Sequence, residues 1–364
     1  MDEVSRAGIM VLISGIGVGV LFGFVLQRGR YCMNSAFRDV IFMNDYTLMR
    51  SYFIALLVAI IGANLLEDFG FLGDDGLRRQ SFNVVANIIG GYIFGLGIVM
   101  AGGCGSGIIY RVGEGYTSAL VGTLGFATSL LATYNGPLKP VMQYLKSFKL
   151  TIGQGDDAIA NPALWDLFGG GPTVKWAVIA AIAVVFIPII WMGNPLSAKT
   201  KKGFAWPLTG ILLGVVLVVA IWASYFWGGQ ARGLSAAGPT SEAFLAITMA
   251  NSMAKFDPMF DFWGIFTATW SALYIFGIPL GAYLSAKGLK EFKWQAPPAQ
   301  ELVRVFMGSL VMGFGAATAG GCTIGHALTG ISSLALSSIV ATIFMILGNW
   351  TMVYFTFIKP MQDE

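Results

Sequence analysis

Charge is scarce in this chain. Only 11% of its 364 residues are Asp, Glu, Lys or Arg, 56% are hydrophobic, and the mean hydropathy is +0.71. Soluble domains carry about a quarter of their residues as charges, so a soluble fold is excluded. A net charge of +3, with no cluster of Lys and Arg among aromatics, gives no purchase on nucleic acid. Histidine is nearly absent: His326 stands alone, too few for bis-histidine haem ligation or a His-rich metal site. Cysteine is limited to three residues, an odd number with no Cys-x-x-Cys pair, and this argues against a purely structural disulfide framework. No flavin or quinone signature is present. No polar gap exceeds about 40 residues, too short for a separate soluble core. The acidic start, Met1-Asp2-Glu3, is followed by no Ala-x-Ala site, so no cleaved signal peptide is expected.

Long apolar runs fill the space that charge leaves. A membrane-crossing helix needs about 20 apolar residues, and nine candidates run near 8–26, 50–66, 82–101, 117–134, 173–192, 204–226, 263–286, 302–319 and 334–357. The expected fold is an all-α polytopic membrane protein, embedded in the bilayer as one domain over 1–364. Gly15, Gly17, Gly19 and Gly23 in the first run suit close helix packing. The stretch 228–262 reads as irregular chain or short re-entrant helices. The stretch 138–171, with Asp156, Asp157 and Asp166, reads as a loop on the membrane surface. Nine spans put the termini on opposite sides, and placing most of the 22 basic residues in the cytoplasm gives a periplasmic N-terminus and a cytoplasmic C-terminus.

The chain also repeats itself. A shift of 218 residues, from 104 to 322, lays Gly95-x-Gly97 on Gly313-x-Gly315, Ala101-Gly102-Gly103-Cys104 on Ala319-Gly320-Gly321-Cys322, and Gly107 on Gly325. The matched spans lie five apart and so cross in opposite directions. This predicts inverted pseudo-repeats over roughly 8–135 and 204–357, linked by 136–203, with a substrate site near the midplane. The repeat of Cys32 falls near Ser235 to Ser241, where no cysteine stands.

All three cysteines occupy glycine-marked breaks after apolar runs: Gly29-Arg30-Tyr31-Cys32, Gly102-Gly103-Cys104-Gly105-Ser106-Gly107 and Gly320-Gly321-Cys322-Thr323-Ile324-Gly325. Irregular backbone at membrane depth is tolerated only where it is buried or lines a cavity. Re-entrant loops meeting at a central constriction follow, with Gly103 and Gly321 at the turns. Cysteine can donate a weak hydrogen bond, attack as thiolate or bind soft metal. Cys322 and His326 share a helix face at i, i+4, so a Cys3His metal site is one rival and a redox enzyme another. As an isolated feature each cysteine could be a small buried hydrophobe. The better fit is a small sulfur-containing anion. The helix starts near Ser35, Gly107 and Gly325 would turn partial positive charge toward it, and Asn34, Ser35, Ser106 and Thr323 add polar groups or serve as caps.

The segment Leu26-Gln27-Arg28-Gly29-Arg30-Tyr31-Cys32-Met33-Asn34-Ser35, the segment Ala101 to Gly107 followed by Tyr110-Arg111-Val112-Gly113-Glu114-Gly115, and Gly320 to His326 resemble, in order, three signatures of the YeeE/YedE family of bacterial inner-membrane sulfur transporters. The resemblance spans essentially the whole chain. It implies thiosulfate uptake into the cytoplasm, with Cys32, Cys104 and Cys322 passing the anion along by S–H···S hydrogen bonds. No catalytic residue, cofactor or resident metal is expected, and the resemblance suggests a separate TusA-like sulfurtransferase as a cytoplasmic partner. The alternatives it leaves are an intramembrane thiol-dependent sulfurtransferase and a carrier of another sulfur or selenium species.

Overall fold

Apolar runs of this length satisfy their backbone in lipid only as helices, and helices dominate the computed structural model, which describes residues 3–73, 76–151, 159, 161–200, 202–248, 259–262 and 266–363. In chain order they are α1 (Glu3–Arg28), α2 (Met33–Phe42), α3 (Thr47–Asp68), α4 (Val84–Met100), α5 (Gly105–Glu114), α6 (Thr117–Tyr134), α7 (Lys139–Lys146), α8 (Pro172–Trp191), α9 (Trp206–Phe226), α10 (Ala237–Thr248), α11 (Trp270–Gly288), α12 (Ala299–Ala319) and α13 (Leu336–Val353). Among the described residues, 7 stretches are long and apolar enough to cross a membrane: those holding α1, α3, α4, α8, α9, α12 and α13. The helices α6 (18 residues) and α11 (19 residues) are of similar length. The protein is an all-α polytopic membrane protein.

The less regular regions depart from the expected boundaries. The run expected to span from 263 begins its helix at Trp270; Phe266–Thr269 (β2) instead pairs antiparallel with Met259–Phe262 (β1). Residues 263–265 lie outside the described residues. The stretch 138–171 contains α7 and a 3-10 turn, Leu164–Phe168, while Asp156 and Asp157 lie outside the described residues. Within 228–262 the short helix α10 forms.

Glycines set how closely the long helices approach. In α1, a Cβ on Gly23 would fall 2.0 Å from the Ile278 carbonyl oxygen of α11, and one on Gly281 would fall 2.0 Å from that of Val20. Gly15 and Gly19 face α11 in the same way, but Gly17 faces open space and plays no part. The helices α9 and α3 repeat this arrangement through Gly210 and Gly214, which meet Ile54 and Val58. Between α4 and α12 the contacts Gly90–Ala319, Gly97–Met312 and Gly308–Met100 run antiparallel. Further pairings join α4 to α13 and α6 to α12. Van der Waals packing of small residues drives such association where lipid supplies no hydrophobic force.

Candidate functional site

Four long helices stop short of a continuous path and restart as shorter ones, and the cysteines stand at three of the restarts. Between α1 and α2, Arg30 takes the left-handed conformation (φ 51). Gly29 is needed there for closeness rather than for the turn, since a Cβ would lie 2.3 Å from the Thr209 methyl. After α4 the left-handed residue is Gly102 (φ 70), and after α12 it is Gly320 (φ 93). The turn therefore falls one residue before the expected Gly103 and Gly321, whose Cβ positions would instead press on Ile108 (3.3 Å) and the His326 ring (3.0 Å). The fourth break, Gly233 (φ 62) to Ala236 before α10, is the cysteine-free one.

Cys32 and Cys104 are the N-cap residues of α2 and α5, yet neither side chain caps its helix by hydrogen bond. The sulfurs are therefore left for other partners. All three thiols are free and buried, at 2%, 1% and 0% exposure in chain order. The Cys32 and Cys104 sulfurs lie 3.9 Å apart, and the Ser106 hydroxyl is 3.5 Å from Cys104. Cys322 accepts a hydrogen bond from the Ala236 backbone N–H at 3.2 Å. The Ala236 methyl would in turn meet a Cβ on Gly105, beside Cys104, at 3.1 Å. One line of contacts thus runs Cys32, Cys104, Gly105, Ala236, Cys322. Gly107 and Gly325 keep it open. A Cβ on Gly107 would fall 2.9 Å from the Cys32 sulfur and 3.2 Å from that of Cys104, and one on Gly325 would fall 2.9 Å from the Ser235 hydroxyl and 3.9 Å from the Cys322 sulfur.

The polar residues expected beside the thiols divide. Thr323, fully buried next to Cys322, has a hydroxyl with no hydrogen-bond partner, a group free to meet a ligand. Asn34 is buried but accepts from Asn349 at 2.8 Å, and so ties α2 to α13. Ser35 is half-buried on α2. His326 is not in a loop: it lies fully buried within the π-helix Ile324–Gly330. Its Nε2 donates to the Ala319 carbonyl at 3.1 Å, which fixes the tautomer, and Nδ1 accepts from the Ser338 hydroxyl at 3.0 Å. Both ring nitrogens are occupied, so His326 positions the break that carries Cys322 and has no lone pair for a metal.

A cavity opens at each end of the thiol line. One, about 440 Å³, is lined by Asn34, Arg38, Gly102 and Arg304. The other, about 210 Å³, is lined by Arg78, Gln80, Arg232, Ser235, Gly320 and Gly325. They sit at opposite ends of α4 and of α12, about 25 Å apart by the rise of the 17-residue α4. Arg232 is paired with Glu242 at 2.6 Å, and Arg78 approaches Gln230 at 3.5 Å. Tyr134 also lines this second cavity, with the Lys146 ammonium 5.9 Å from its ring centroid. Burial outside the spanning helices holds the Lys146 amine down at about 8. Sequence reasoning missed Arg78, Arg232, Ala236 and Lys146. The repeat pointed to the fourth break, but a backbone N–H as thiol partner leaves no mark in residue types.

Comparison with known proteins gives the family of the chain. The family described as "Sulphur transport" matches residues 28–351. The thiosulfate transporter TsuA of Spirochaeta thermophila is 38% identical over 350 residues, covering 94% of this chain and 98% of that protein. TsuA of Escherichia coli is 28% identical over 374 residues, covering 97% and 96%. A shorter match, 32% over 126 residues and 34% of this chain, is to the probable transporter YedE of Escherichia coli, of which it covers 30%. A match over most of the chain, with three buried thiols strung between two arginine-bearing cavities, places this chain in the sulphur-transport family.

Proposed function

We propose that the protein imports thiosulfate across the bacterial inner membrane, with its N-terminus periplasmic and its C-terminus cytoplasmic. The Arg78–Arg232 cavity then faces the periplasm and collects the dianion. From there thiosulfate meets Cys322 and Thr323, passes Ala236, and reaches the Cys104–Cys32 pair above the Arg38–Arg304 cavity. Neutral thiols suit such a passage, because each donates a weak hydrogen bond to the terminal sulfur of thiosulfate. The anion is thereby recognised without being held too tightly to leave. The starts of α2 and α5 add partial positive charge at the same place. The observation that carries the reading is the contact line of three buried free thiols joining the two cavities. A separate TusA-like sulfurtransferase receives the sulfur on the cytoplasmic side.

The two halves, 8–135 and 204–357, form inverted repeats around this line. The matching pairs α1–α11 and α9–α3, and α4–α13 and α12–α6, support that reading. Growth tests the function: a bacterium unable to use sulfate and lacking its own thiosulfate carriers should grow on thiosulfate only when this gene is supplied. Failure to grow, with the protein present in the membrane, would refute import. A stable extra sulfur atom on a cysteine, seen by mass spectrometry after exposure to thiosulfate, would instead identify an intramembrane sulfurtransferase.

A further inference from the structure

An apolar cavity of about 610 Å³ lies away from the thiols, between α3, α8 and α13. Its walls include Phe53 and Ile60 of α3, Ile182 and Phe186 of α8, and Ile346 of α13. The helix α8 packs on α3 and on the 3-10 turn Leu164–Phe168, and leaves the gap to α13 open. From Tyr46 to Ile60 the cleft runs about 20 Å along α3, by the rise per residue, the length of an extended acyl chain.

The two ends of the cleft differ in chemistry. At the Ile60 end it is closed, because Leu164 N–H donates to the Leu334 carbonyl (2.8 Å) and Leu336 N–H to that of Pro162 (3.0 Å). The cations beyond are already satisfied: Arg79 pairs with Glu67, and Lys175 with Glu67 and Asp68. At the Tyr46 end stands Arg50, its guanidinium carbon 5.8 Å from the Tyr46 ring centroid. Arg50 takes part in none of the ion pairs among the described residues, and its Nε is buried without a hydrogen-bond partner. An apolar slot of acyl-chain length, sealed at one end, with Arg50 beside Tyr46 at its other end and in no ion pair among the described residues, matches one kind of occupant.

We infer that the cleft is a binding site for one anionic phospholipid, with an acyl chain along α3 and α13 and the phosphate at Arg50. The site touches the transport core. Tyr52 lines the cleft and donates its hydroxyl to the Ala327 carbonyl (2.6 Å), inside the π-helix that follows Cys322. A bound chain braces Tyr52 against that helix.

Native mass spectrometry of the whole protein, purified in a mild detergent, with the extracted lipids identified separately, tests this. The wild type should retain one phospholipid, enriched in anionic species over the source membrane. Ile346→Trp and Ile182→Trp fill the cleft from opposite walls, and either should cut retention at least about fivefold. The outlying position of α8 makes the Ile182 variant the safer for folding. Arg50→Gln should keep a lipid but lose an anionic preference of about fivefold, the worth of one cation near a phosphate. Absence of retained lipid from the wild type, undiminished retention in both tryptophan variants, an unchanged anionic share in Arg50→Gln, or a second copy of this chain in place of lipid would each overturn the assignment.

Discussion

The two halves of the chain build their central breaks from the same glycine pattern but solve the chemistry differently. In the first half two thiols touch, Cys32 and Cys104 at 3.9 Å. In the second, the position answering to Cys32 is cysteine-free, and Cys322 is held by the Ala236 N–H at 3.2 Å. The difference decides where a thiol proton is free. Within the Cys32–Cys104 pair one S–H is spent on the neighbouring sulfur, so the pair offers one. Cys322 uses its sulfur as acceptor and keeps its own S–H for a ligand. In the proposed passage, the second half therefore recognises with a fixed donor and the first hands over between two soft groups.

The sharpest way to break this comparison is oxidation. Two sulfurs 3.9 Å apart need only side-chain rotation and a small backbone shift to reach disulfide distance, about 2.05 Å, whereas the Cys322 sulfur is held by the Ala236 N–H. The two-electron oxidant diamide should join Cys32 to Cys104 and stop uptake completely, with reductant restoring it. Mass spectrometry of the denatured product should find Cys322 still alkylatable. A cross-link to Cys322, or full uptake by the oxidised protein, would contradict the pairing.

A smaller effect separates the repeat-related glycines. In Gly107→Ala the new methyl meets two sulfurs within 3.2 Å, while in Gly325→Ala only the rotatable Ser235 hydroxyl is closer than 3.0 Å. Overpacking costs about 1–3 kcal/mol, so Gly107→Ala should slow initial uptake at least about tenfold and Gly325→Ala no more than about threefold. Uptake into proteoliposomes, with the unfolding midpoint as a folding control, measures both. Equal losses would make the two halves sterically equivalent.

The mildest effect is on pH. The Lys146 amine, held down at about 8 by burial, loses its proton as pH rises through that value rather than near its usual 10.5. Raising pH from 7 to 9 therefore takes it from about 90% to about 10% charged and lowers the positive potential beside the Arg78–Arg232 cavity. Thiosulfate affinity should fall about two- to threefold over that interval, as expected for one partly screened charge. Lys146→Arg, whose charge persists at all these values, should flatten the profile. An unchanged profile would remove Lys146 from the capture of the anion.

Much of this arrangement was legible in the sequence, for identifiable reasons. Apolar runs near 20 residues announce spanning helices, and seven of the nine runs lie in stretches long and apolar enough to cross a membrane among the described residues. Cysteine beside glycine marked the breaks, because few residue types combine a soft side chain with backbone freedom at membrane depth. What stayed hidden depends on three-dimensional partners. Gly29 looked like a turn residue, but the turn fell on Arg30 while Gly29 makes room for Thr209. His326, four residues after Cys322, looked like a candidate metal ligand until Ser338 and Ala319 took both its nitrogens. The start of the eleventh helix at Trp270 was obscured because Phe266–Thr269 is apolar enough to read as span yet pairs as a strand.

The central claim is that sulfur itself conducts, and serine substitution tests it most directly, because it keeps size and polarity while removing the soft atom. Proteoliposomes holding Cys104→Ser or Cys322→Ser should take up radiolabelled thiosulfate no faster than empty vesicles. Cys32→Ser should be severely impaired, and all three proteins should remain monodisperse and folded. Uptake at the wild-type rate by all three variants would contradict the account and leave the cysteines as packing.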